Sequence, residues 1–146
     1  MRNVSVLAVV VGGVSDVVLS GILGIPLGIY VISTRGLAQL PRDQLQAALV
    51  SAMHSDLGFH AAQLAIGLGC SFLGGLIAAS IAKQHKLLNG VLASWLCVSI
   101  GVYAIAQGKG GEPVPLHLAL IALTPVCYAL GALLRIKMKR SDAATT

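Results

Sequence analysis

Read for polarity, the chain falls into four long apolar runs separated by short polar stretches. The runs cover residues 4–33, 57–82, 87–106 and 114–134. Each reaches the roughly 20 residues that an α-helix needs to cross the hydrocarbon of a bilayer. None alternates with period two, and a closed barrel needs about eight strands or more. The pattern predicts an all-α, polytopic membrane protein: one four-helix domain over residues 1–146, with a basic tail at 135–146. The first run follows "MRN" but is too long for a signal peptide and lacks a small-residue cleavage site, so it is read as a retained helix.

The polar stretches add detail. "KQHK" is a tight turn, which makes the second and third spans antiparallel neighbours. "QGKGGEPVP" is a Gly/Pro turn. In "PRDQLQAALVSAMHS" Pro41 opens a helical turn, Asp43 suits its positive end, and Leu45, Leu49 and Met53 recur at i, i+4 and i+8. A short amphipathic helix in the first outer loop, lying on the membrane surface, is expected there.

Composition agrees with a lipid solvent. Hydrophobic residues are 56% of the chain, charged residues 10%, and mean hydropathy is +0.87, against about a quarter charged in soluble domains. The net charge of +5 sits at run ends and in loops, so it marks orientation and not nucleic-acid binding. Arg2, Lys83, Lys86, Arg135, Lys137, Lys139 and Arg140 fall on one side, Arg35, Arg42 and Lys109 on the other. Both termini are therefore expected in the cytoplasm, in a bacterial inner membrane. Arg135, Lys137, Lys139 and Arg140 are expected to meet anionic lipid headgroups. Tyr30, Phe59 and Tyr103 belong at the outer interface, and Trp95, mid-span, is expected to pack.

In lipid, helices associate through close packing of small residues. Among 17 glycines, Gly24–Gly28 and Gly75–Ala79, with Gly74 beside them, form small-xxx-small seams. Pro26 and Pro125 should kink the first and fourth spans. The stretch "GGLIAASIAKQHKLLNG", residues 74–90, together with a lone acid in the first span, resembles small prokaryotic four-helix membrane proteins of unknown function. The resemblance implies the fold and brings no activity.

Candidate chemistry is sparse. Asp16 interrupts the first run, with Ser20 at i+4 on its face. Intramembrane acids cost roughly 2.5–3.5 kcal/mol on insertion scales and face the bundle interior. Asp16 reads either as a hydrogen-bonding acid that joins helices or as a proton or cation relay. A second group depends on the threading: His54, Asp56, His60, Glu112 and His117 should share the outer side. His60 and His117 could face each other as metal or haem ligands, but compact metal motifs are missing. Ordinary interfacial histidines are the simpler reading, so no metal site is favoured and no cofactor is expected. Cys70, Cys97 and Cys127 lie in apolar runs, away from any CxxC, and read as small buried thiols. Nucleotide-binding and hydrolase motifs are missing too.

The leading expectation is a non-enzymatic accessory or assembly subunit, or a homo-oligomeric bundle, whose partners are the lipid bilayer and other membrane subunits or itself. The alternative is a small transporter or channel subunit with Asp16 as its intramembrane proton or cation site. A metal- or haem-binding redox component on His60 and His117 is a third.

Overall fold

The computed structural model describes residues 4–107 and 114–144. Among these, every regular element is helical. The order is α1 (Val6–Thr34), a 3₁₀ turn (Leu37–Gln39), α2 (Arg42–Ser55), α3 (Leu57–Ile81), α4 (Lys86–Ala93), α5 (Trp95–Ala106) and α6 (Val114–Ala144). Four helical stretches are long and apolar enough to cross a membrane: Val6–Thr34, Leu57–Ile81, Lys86–Ala106 and Val114–Lys139. The fourth continues as helix through the basic segment, so Arg135, Lys137 and Lys139 stand on α6 itself. Arg2, Lys109 and Glu112, and the side chain of Arg140, lie outside the described residues.

Helix directions follow from which residues meet. Asp16 touches Ser71, and Gly12 lies against Gly74 and Ala78, so α1 and α3 are antiparallel. Gly12 approaches Ala93 and Asp16 meets Cys97, so α1 runs with α4 and α5. Gly90 lies against Ala132, and Gly101 against Ile121, which sets α6 opposite to them. The start of α1, the α3–α4 turn and the end of α6 thus share one end, the basic end. At the other end sits α2.

Local chemistry fixes the ends. Ser5 caps α1, its hydroxyl accepting from the Ala8 amide. Gly36 ends that helix region in a left-handed conformation, φ 66°. Asp56 follows α2 and caps α3, accepting from the amides of Gly58 at 2.9 Å and Phe59 at 3.4 Å. Its second oxygen takes Arg35 at 2.6 Å, and that guanidinium stands over the Phe59 ring, which meets Tyr30 edge-on.

The third span is two helices. Between α4 and α5 the Ser94 hydroxyl donates to the Val91 carbonyl at 2.7 Å, and the Ser94 amide donates to the same oxygen. Such back-bonding bends helices. The break falls where α1 comes closest, with Gly13 against the Ala93 carbonyl.

Close packing is concentrated in the basic half; outside it, Val31 is fully buried and Gly101 lies tight against Ile121. Ala8, Gly12, Gly13 and Asp16 of α1, the stretch from Cys70 to Ala79 on α3, Asn89, Gly90 and Ala93 of α4, and Tyr128, Gly131 and Ala132 of α6 hold nearly all the buried positions. Backbones touch here. A methyl at Gly12 would lie 2.7 Å from Ala78 Cβ, and one at Gly75 would enter the Tyr128 backbone. Gly74 lies against the Tyr128 ring, and Ala79 is fully buried. The seam expected at Gly24 and Gly28 has no helix packed on it among the described residues: nothing there lies within 4 Å of a methyl built at either, nor at Gly21 or Gly67. Helices that meet in one half and diverge in the other leave their second set of small residues apart. Trp95 is likewise not packed in the bundle; it is 50% exposed beside Val6, Val10 and Leu92. The residue opens α5 directly after the break at Ser94 and takes the outward side of the helix, so half of its surface is left uncovered.

Candidate functional site: a carboxylate beneath a cavity

Asp16 is 2% exposed and lies where all four spans meet. Its Oδ2 accepts three hydrogen bonds: from Tyr128 Oη of α6 at 2.7 Å, Ser71 Oγ of α3 at 2.9 Å and Cys97 Sγ of α5 at 3.1 Å. Oδ1 accepts one, from Ser20 Oγ at 3.2 Å, one turn along α1. Every donor is neutral. Among the described residues, no Lys, Arg or His donates to the carboxylate.

The two oxygens therefore differ. Oδ2 is saturated by donors from three other helices and ties the bundle together. Oδ1 holds one long, local bond and keeps acceptor capacity. Asp16 and Ser20 are also part of the lining of a cavity of about 530 Å³. That volume is within the range of small-molecule sites. Along α1 its wall passes from Asp16 through Ser20 and Gly24 to Leu27, and along α3 from Ser71 through Gly67 to Gln63. Met53 of α2 lines it toward the far end, and Thr124 and Leu120 supply the α6 side. The floor is thus polar and the walls chiefly apolar. The open glycines make the space: Gly24 and Gly67 both line it, and no side chain fills what their missing Cβ atoms leave.

The other sequence candidates are dispersed. His54 and His60 lie with ring centroids 5.4 Å apart, and His54 Nδ1 is 2.7 Å from the Val50 carbonyl. Asp56 is engaged by the α3 cap and Arg35. His117 sits on α6 near Gly101 of α5. Among the described residues, no three His, Cys, Asp or Glu side chains gather as a metal would require.

Ser71, Tyr128 and Asn89 escaped the sequence reading; Ser71 is one serine among many in apolar runs. Tyr128 is fully buried; a lone tyrosine in the fourth apolar run was the available signal. Asn89, also fully buried, accepts from the Ser5 amide at 2.7 Å and donates to the carbonyls of Gln84 and His85 at 3.0 Å each. It fastens the start of α1 to the α3–α4 turn, where His85 has a left-handed backbone, φ 45°. Cys97 was read as an apolar thiol and is instead a donor to Asp16. All three cysteines are free.

Compared with family models, curated proteins and solved structures, the chain matches none.

Proposed function

We propose that this is a small multi-pass protein of a bacterial inner membrane in which Asp16 is an intramembrane proton or cation site, serving a transporter or channel subunit. The observation that carries this reading is a buried carboxylate with four neutral donors, no cationic donor among the described residues, and an oxygen left under-used at a cavity floor. A purely structural acid would need donors but no cavity. By the distribution of Lys and Arg, the basic end faces the cytoplasm, so the cavity reaches toward the outside and α2 lies on the outer surface.

The test is flux in proteoliposomes carrying a trapped pH dye, driven by an imposed membrane potential. Wild-type protein should pass protons or monovalent cations, and Asp16→Asn should fall to the level of empty liposomes while still eluting as a folded species. Unchanged flux in a folded Asp16→Asn protein defeats the reading.

A second reading is an accessory subunit or homo-oligomer. It is favoured by Gly21, Gly24 and Gly28, which recur at helical spacing on α1 with nothing packed on them. Such small-residue faces let another helix approach closely. Mass spectrometry of what co-elutes from native membranes in mild detergent separates the readings: a stoichiometric partner makes the chain a subunit.

A further inference from the structure

We infer that the cavity above Asp16 takes a small organic monocation: one ammonium group on an apolar body, with the N–H donors bound at Oδ1. This rests on the reading of Asp16 as a cation site and names its ligand class.

The floor selects for a single positive charge with hydrogen to donate. Oδ1 has one bond, 3.2 Å from Ser20, and a charge-assisted donor placed there would form the stronger contact. Ser20 can turn to accept a second N–H, since its hydroxyl carries both roles. The walls select for the rest of the ligand. Leu27, Leu64 and Leu120 face the space, with Met53 near its far end, and methionine adapts to varied apolar shapes. From Asp16 to Leu27 the wall rises roughly 16 Å along α1, so the body of the ligand lies against hydrocarbon side chains while its head reaches the carboxylate.

The same geometry disfavours a bare inorganic cation. Hard cations need a shell of several oxygens. Beside Oδ1 the chain offers the Ser20 hydroxyl, while the other carboxylate oxygen is spent on three donors. A neutral solute would leave the carboxylate without a counter-charge.

The experiment is calorimetric titration of n-hexylammonium into the full chain in phosphatidylcholine nanodiscs, with empty nanodiscs as blank and n-hexanol and sodium as comparison ligands. Expected is saturable one-to-one binding of n-hexylammonium and none of n-hexanol. Asp16→Asn should weaken it by roughly tenfold or more, the size of a lost hydrogen bond to a charged group. Because Asp16→Asn also disturbs the bundle, Gly67→Leu serves as the second variant. It fills the cavity where nothing lies within 4 Å and leaves every donor to Asp16 in place, and it too should lose binding. Tight binding to Gly67→Leu overturns the inference. So does a flat titration from a protein that still moves protons or sodium through Asp16, in which case the reading of Asp16 itself survives. If proton or cation flux is indifferent to Asp16→Asn, both fall.

Discussion

Asp16 meets two demands with its two oxygens. The three donors on Oδ2 come from three helices, and removing one leaves the other two. In membranes such side-chain bonds contribute on average about 0.6 kcal/mol and at most about 1.7. Tyr128→Phe, which deletes the 2.7 Å bond and keeps the ring against Gly74, should therefore lower stability by about 1 kcal/mol, read from thermal unfolding in detergent. Cys97→Ser should be close to neutral in the same assay, since a hydroxyl replaces the thiol donor. Asp16 and Ser20 were legible in the sequence, because a carboxylate in an apolar run stands out and i+4 places its neighbour. Ser71, Cys97 and Tyr128 were not: they lie 55, 81 and 112 residues away. Only the rotation of each helix about its axis decides that they converge.

Among the helices, the contrast between the two sets of glycines matters most. Gly12, Gly75 and Gly131 admit backbone against backbone, whereas Gly24, Gly28 and Gly67 face open space. Composition cannot tell the two sets apart, since both are glycines within apolar runs; the positions where helices cross do so. Gly75→Val should abolish a folded, monodisperse species, because its side chain would occupy the Tyr128 backbone. Gly28→Val should retain wild-type unfolding temperature. A size-exclusion profile checks the first outcome and thermal unfolding in detergent the second. The four apolar spans were plain in the hydropathy pattern because their length alone identifies them. The division at Ser94 was not, because a serine in a helix either points outward or bends it, and the choice is made by the close approach of Gly13.

The whole molecule is asymmetric along its long axis: most of its close contacts lie toward the basic end, and the cavity opens toward the end that carries α2. That end is fastened at one corner. Asp56 terminates α2, caps α3 and binds Arg35. The ion pair is partly exposed, with side chains 44% and 37% accessible, so Arg35→Ala should cost no more than about 1 kcal/mol in global stability. Its effect should be local instead: faster amide hydrogen exchange in α2, measured by mass spectrometry, with α3 unchanged. Orientation is checked separately. A cysteine at Ser141 should react with a membrane-impermeant maleimide only in inverted vesicles, and one at Gln39 only in intact cells.

The node at Asp16 has a further consequence for how the protein comes into being. Helices enter a membrane in the order they are made, so the carboxylate arrives before its shortest-bonded partner, Tyr128, which comes with the fourth span. Until then the first helix carries an acid in lipid with part of its donor set missing. Arrival of the fourth span is thus registered on the first. A product truncated after residue 107 should be cleared by proteolysis in cells, and restoring residues 108–146 as a separate co-expressed segment should protect it. The fourth span would then act as the first one's certificate of assembly.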